Sequence, residues 1–282
     1  MTVSPFVSTQ WLADHLKDPK LVVIDGSWYL ASAKRDPDRE FLDAHIPGAM
    51  RLDIDKVKDL SSPLPHMLPS PEEFAEAAGA MGIDNTTQVV IYDGAGLFSA
   101  PRVWWMFRVF GLDSVCILEG GFPKWRNDGY PLETGPQRAA PGKTFEAKFR
   151  PEMVLDWRQV REITSGRTKP VVDARGKGRF DGTEADIRPG VRPGHIPGTV
   201  NLPFGEVLNA GGIVKPREEV LKAFGGIDVD IEKPFAVTCG SGVTASILAV
   251  AAYSATGAVP PLYDGSWSEW GSREDLPAEV TK

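Results

Sequence analysis

Cysteine is scarce in this chain. Two stand in 282 residues, Cys116 and Cys239. Two thiols cannot build a disulfide framework, and a reducing cytoplasm is the expected setting. No Cys-x-x-Cys pair offers a zinc site, and the four histidines, His15, His45, His66 and His195, lack the spacing of a metal-binding helix. No run of 18 apolar residues is present, so no membrane span is expected. The opening MTVSPFVSTQWLADHL has no basic start ahead of an apolar core, so neither a signal peptide nor a transit peptide is expected. Basic residues are in the minority: 31 Lys and Arg against 38 Asp and Glu give a net charge of −7. That balance argues against a nucleic-acid surface. A Walker-type phosphate loop is also missing. The remaining profile, 42% hydrophobic and 24% charged, is that of a globular protein long enough for two ordinary domains.

The chain is written twice. AHIPGAMRLDID begins at Ala44 and GHIPGTVNLPFG at Gly194. VVIDGSW at Val22 matches VVDARGK at Val171, and SPEEFAEAAGAMGID at Ser70 matches KPREEVLKAFGGID at Lys215. LEGGFPKW, ending at Trp125, matches LYDGSWSEW, ending at Trp270. An offset that stays near 145–150 along the whole length means duplicated domains, since solenoid repeats are far shorter. The expected division is a first domain over 1–135, a linker over 136–153 and a second domain over 154–282. PQRAAPG marks the linker by composition, and alternation at Phe145, Ala147 and Phe149 predicts an extended segment after it. Within each copy, apolar runs such as LVVID and QVVIYD alternate with helical patterns such as PEEFAEAAGAMG. The predicted class is α/β: in each domain a central, mostly parallel sheet with helices on both faces. HIPG and the paired tryptophans occur in both copies, so they are read as fold-level features.

Where the copies differ is more informative. VVIYDGAGLFSAPRVWW superposes on FAVTCGSGVTASILAVA, which sets Asp93 opposite Cys239. The first copy therefore lacks the thiol. In the second, a strand runs into Cys239-Gly240-Ser241-Gly242-Val243-Thr244 and then a helix. Glycines let successive backbone N–H groups curl into a nest, and the helix N-terminus adds unpaired donors and its dipole. Both favour an anion at sulfur, and the thiolate is the nucleophilic form. Cys116, in SVCILEG, sits in an apolar strand pattern and is read as core.

With these motifs in view, the chain resembles the two-domain rhodanese-type sulfurtransferases over essentially its full length. CGSGVTA resembles the active loop of the 3-mercaptopyruvate-using branch. Thiosulfate-preferring relatives usually carry two basic residues after the cysteine, where Gly240 and Ser241 stand here. The resemblance implies that Cys239 takes a sulfur atom from a small-molecule donor and holds it as a persulfide. Pyruvate leaves, and a thiol such as that of thioredoxin, or cyanide, removes the outer sulfur. It further implies that no metal or organic cofactor is needed.

The resemblance also extends to residues that would hold the donor. Mercaptopyruvate carries a carboxylate, which arginine binds bidentately. GKGRFDGTEADIRPG supplies Arg179 and Arg188. It is similar to the family stretch in which two arginines clamp the donor, although Asp186-Ile187 replaces the usual Glu-Pro. Arg192 is a nearby competitor, but Arg188 keeps the family's seven-residue spacing to His195. RLDIDKVKDLSSPLPHMLPS supplies Asp55 and His66, with Asp53 and Asp59 as neighbouring alternatives. The matching family stretch gives an Asp and a His to the cleft between domains, where Ser241, His66 and Asp55 would form a Ser-His-Asp chain beside Cys239. Two domains in one chain already make a cleft, so a monomer is expected.

Three rivals follow from the same residues. Thiosulfate is a rival donor on the same chemistry. A cysteine phosphatase needs Arg six positions after the cysteine, where Ala245 stands. A noncatalytic sulfur carrier has no use for a carboxylate clamp, so the paired arginines argue against it.

Overall fold

In a computed structural model, which describes residues 4–281, the two copies fold as two five-stranded parallel sheets of the same topology. The first half runs β1 (Phe6–Val7), α1 (Thr9–His15), β2 (Leu21–Asp25), α2 (Pro37–Asp43), β3 (Met50–Arg51), α3 (Pro71–Ala80), β4 (Gln88–Tyr92), α4 (Ala100–Val109), β5 (Val115–Leu118) and α5 (Gly121–Asn127). The second half repeats this as β6 (Val154–Leu155), α6 (Trp157–Gly166), β7 (Val171–Asp173), α7 (Lys177–Asp181), β8 (Val200–Asn201), α8 (Arg217–Gly225), β9 (Ala236–Thr238), α9 (Val243–Thr256), β10 (Leu262–Tyr263) and α10 (Ser266–Trp270). Strand order is β1-β5-β4-β2-β3 in one sheet and β6-β10-β9-β7-β8 in the other.

Local chemistry sets these elements. The strands β2 and β4 are β-branched runs buried under helices, as parallel strands need to be. A capping box opens α3, with Ser70 and Glu73 satisfying each other's backbone, and Pro71 occupies the first turn. Asp156 and Gln159 do the same for α6. The HIPG histidines are buried, each with Nδ1 on a carbonyl four or fifteen residues earlier, Phe41 or Phe180, and each feeds β3 or β8. Past Gly135 the chain runs without helix or strand to residue 150, anchored to the first half by Lys143 N–H on Gly79 and Lys148 N–H on Phe110.

Helices α4 and α9 place the site. Each follows the central strand of its sheet, and they pack on each other across the two halves. Trp104 of α4 lies 5.5 Å from the Tyr253 ring of α9. One apolar core, including Ile24, Trp104, Phe145, Val172, Val237 and Val250, is continuous through both sheets and this contact. The strand ends that precede α4 and α9 therefore face a shared cleft, the usual location of sites in open parallel sheets.

Candidate active site

Cys239 sits one residue past β9 and is 1% exposed. The loop after it turns at Gly242, whose φ of 76° is left-handed and whose Cβ, if present, would stand 2.6 Å from Nη1 of Arg102. A side chain there would strain the backbone and have to displace the Arg102 guanidinium. The loop N–H groups divide in a way that the sequence does not reveal. Those of Cys239 and Gly242 both donate to the Ser266 hydroxyl, at 3.3 and 3.1 Å. Those of Gly240 and Ser241 have no acceptor among the described residues, so only part of the expected nest is open to an anion. From the other side, the Trp267 and Ser268 N–H groups hold the carbonyls of Cys239 and Gly240, both at 2.9 Å. Behind the loop, α9 runs 14 residues, almost all buried, with its N-terminus at Val243.

The first half carries an internal control. At the matching position after β4, the Asp93 carboxylate accepts N–H bonds from Ala95, Phe98, Ser99 and Ala100, at 2.7–2.9 Å. A negative group thus already fills the anion-binding loop of the first half.

Both predicted arginines converge on the thiol loop. Nη1 of Arg188 and of Arg179 lie 3.4 and 4.0 Å from where a side chain would begin at Gly240. With Trp28, Phe98, Val243, Thr244 and others they enclose a cavity of about 100 Å³ over Cys239. Burial lowers the Arg188 guanidinium's affinity for its proton, and Asp186 opposes that effect. The Asp186 carboxylate also accepts the Arg188 N–H at 3.0 Å, so the Asp-Ile departure from the family pattern still shapes this turn. Arg192 is elsewhere: its guanidinium holds the carbonyls of Trp270, Gly271, Arg273 and Leu276.

The Ser-His-Asp chain forms only in part. His66 Nδ1 stands 3.2 Å from Asp55, whose other oxygen accepts the Trp28 indole N–H at 2.8 Å. Asp53 and Asp59 instead bind Lys56 and Ser61. The Ser241 link is not made. Its hydroxyl accepts from Arg188 at 2.9 Å, and neither His66 ring nitrogen completes a hydrogen bond, the Asp55 contact being an ion-pair approach only. The expected Ser241–His66 bond is therefore corrected to a Ser241–Arg188 bond, because the half-buried guanidinium is a charged donor within hydrogen-bond reach of the hydroxyl.

Two contributions escape sequence reasoning. Trp28 lines the cavity and meets the His66 ring edge-on at 4.7 Å. Arg102 of α4 is fully buried and reaches across to Asp264 of the second half at 2.7 Å. It also donates to the carbonyl of His66, whose own backbone is left-handed at φ 58°. A charge inside APRVWWMFRV was the available signal. Among the described residues, no group of three or more His, Cys, Asp or Glu side chains is placed to hold a metal ion.

Burial pushes the His66 imidazole below its ordinary 6.5, with the Asp55 carboxylate opposing. Its contact with His66 in turn holds the Asp55 carboxyl down at about 2. The unfolded imidazole then binds its proton at higher pH than the folded one. Stability is unaffected above about 6.5 and falls as pH drops from there toward the lowered folded value. An NMR titration is expected to show His66 protonating below 6.5 in the wild-type protein. In Asp55→Asn it titrates lower still. A higher value in the variant would refute the pairing.

The duplicated parallel-sheet fold, with one buried thiol at a strand end, defines a class of tandem-domain proteins. The family model for the rhodanese-like domain matches residues 8–128 and again 157–273, and the chain belongs to that family. Human 3-mercaptopyruvate sulfurtransferase is 46% identical over 282 residues, covering 97% of this chain and 95% of its own. Thiosulfate sulfurtransferase of Gallus gallus is 42% identical over 282 residues, covering 98% and 96%. The crystal structure of a 3-mercaptopyruvate sulfotransferase from Escherichia coli matches with a TM-score of 0.85 at 39% identity, covering 94% of this chain and 99% of that one. Relatives named for either donor stand at comparable identity, so identity alone does not choose the donor.

Proposed function

We propose that the protein moves the sulfur of 3-mercaptopyruvate to a thiol or to cyanide through a persulfide on Cys239. The observation that carries this reading is the convergence of Arg179 and Arg188 on a thiol loop that has no charge of its own. Thiosulfate would gain from basic residues in that loop. An α-keto acid needs its carboxylate gripped a short distance from the reacting sulfur, and paired guanidinium groups do that.

The Cys239 thiolate attacks the donor sulfur, and an S–S bond forms. The carbon–sulfur bond breaks, and its electron pair passes into the neighbouring ketone as the pyruvate enolate, which then takes up a proton. Arg188, with Ser241 attached, faces the oxygen on which that charge develops. Neutral His66, with Nε2 free and Nδ1 beside the Asp55 carboxylate, is the group assigned to carry the proton. The open N–H groups of Gly240 and Ser241, with Val243 and Thr244 at the start of α9, support the anionic sulfur. The acceptor thiolate next attacks the outer sulfur and releases the Cys239 thiolate.

The same reading takes 1–135 as a wall-forming domain with Asp93 in place of the thiol, 136–153 as linker and 154–282 as the catalytic domain. It includes a monomer, since one chain encloses the site, and a dithiol protein such as thioredoxin as acceptor. It places the protein in the cytoplasm, in keeping with two unpaired cysteines. No described helix is long and apolar enough to cross a membrane.

The test is kcat/KM for 3-mercaptopyruvate and for thiosulfate with one acceptor. Mercaptopyruvate is expected to win by about tenfold or more, about 1.4 kcal/mol of transition-state preference. In Arg188→Ala that preference collapses. If thiosulfate wins, the donor assignment fails. If neither donor turns over, a carrier role replaces it.

A further inference from the structure

The two halves repeat their hydrogen bonds position by position, so one can be read against the other. Asp25 and Asp173 end β2 and β7, and each accepts the N–H two residues on, from Ser27 at 2.8 Å and from Arg175 at 2.9 Å. Phe122 and Trp267 donate their N–H to the carbonyls of Asp93 and Cys239. His45 and His195 bridge to Glu133 and Glu279. Ser27 is thus the counterpart of Arg175, Phe122 of Trp267, and Ala44 of Gly194.

In the second half this place is filled. The Arg175 guanidinium grips Asp173 with Nε at 3.0 Å and Nη2 at 2.7 Å, and donates to the Gly194 carbonyl at 2.9 Å. It lies over the Trp267 ring at 4.7 Å. In the first half no guanidinium extends from the matching position, although Arg35 and Arg126 line the same space from the rim. Asp25, Ala44 and Phe122, with Ser27 in place of the arginine, line a cavity of about 690 Å³. That volume is in the range of small-ligand pockets, and the cavity shares no lining residue with the one at Cys239.

Asp25 is only 5% exposed, and burial pushes its carboxyl up. Arg51 is the nearest cation, 4.0 Å away. Its N–H groups go to Asp38 and to the carbonyls of Asp25 and Leu52. The Tyr92 hydroxyl accepts the Ile46 N–H at 3.4 Å. At the rim, Glu40 is already taken by Arg35 and Tyr29.

We propose that this cavity is a second ligand site, one that takes a guanidinium group. The planar cation seats between the Asp25 carboxylate and the Phe122 ring, as Arg175 seats in the other half. A guanidinium matches a carboxylate with a two-pronged contact and stacks on an aromatic face, which a compact ammonium does not do.

Calorimetric titration of the full chain with agmatine tests this. Agmatine is expected to bind with a Kd of about 1 mM or tighter, and n-butylamine about tenfold more weakly. Ser27→Arg rebuilds the arrangement of the second half. It is expected to abolish agmatine binding while the melting temperature holds or rises, which separates a filled pocket from a misfolded one. Asp25→Asn is expected to weaken binding as well. A capped Gly-Arg-Gly peptide distinguishes the sources. Tighter binding than agmatine points to an arginine of a protein, and weaker binding to a free guanidino compound. The proposal is overturned if agmatine binds no better than butylamine, or still binds to folded Ser27→Arg.

Discussion

Cys239→Ser is expected to lower kcat/KM for 3-mercaptopyruvate by at least about 10,000-fold, as loss of a catalytic nucleophile does elsewhere. Serine is close to isosteric, and the free N–H groups of Gly240 and Ser241 offer it partners, so the melting temperature should hold. What is lost is a polarisable sulfur nucleophile. Mass spectrometry supplies the second readout. Wild-type protein exposed to donor gains one sulfur atom on the peptide holding Cys239, and the variant gains none. Cys116 is the control. Burial raises its thiol above the ordinary range, which keeps it protonated and unreactive at neutral pH. Persulfide on Cys116, or turnover that survives in Cys239→Ser, would refute the mechanism.

Arg102→Met is expected to destabilise the protein by about 3–5 kcal/mol, the usual cost of breaking one side of a buried ion pair. Methionine fills much of the same volume, so the main loss is electrostatic. Asp264 stays buried with its cation gone, although it still accepts the Leu68 N–H at 2.8 Å. For a chain of this size the melting temperature should drop by about 10 °C. Adding Asp264→Leu to Arg102→Met should restore at least half of the loss, because the stranded charge is then removed. A single variant that melts within about 2 °C of wild type would refute this account. Activity should fall beyond the loss of folded protein. Arg102 also holds the His66 carbonyl and borders Gly242, so its removal loosens both sides of the cleft.

These two residues show how legible the site was. Cys239 announces itself, because the residues that follow it are Gly and Ser rather than the apolar ones a purely packing thiol would keep. The repeat shows the architecture in the same way: HIPG and the closing tryptophans recur at offsets of 150 and 145, and both sheets carry the same strand order. Arg102 was illegible because its meaning lies in Asp264, which no periodicity ties to it. Ser266 was hidden for the same reason. It looks like an ordinary helix-start serine, yet it takes two N–H groups that glycine chemistry assigned to the sulfur. The partner of Ser241 turned on the path of a loop that brings Arg188 within reach. Arg192 was removed from contention by four carbonyls that only the folded chain assembles.

The core that runs unbroken through both sheets bears on the handling of this protein. A single copy folding alone would need a solvent-compatible outer surface on α4 or α9. Here α4 and α9 have traded that surface for each other, so neither half retains a finished exterior. Cutting the gene at the linker would release two fragments with bare apolar faces, prone to clump rather than to work as modules. The pair should instead melt in one step, and the cleft should not swing open on a hinge. An acceptor, thioredoxin included, must therefore present its thiol to a cavity of about 100 Å³ that the two halves hold at a fixed width.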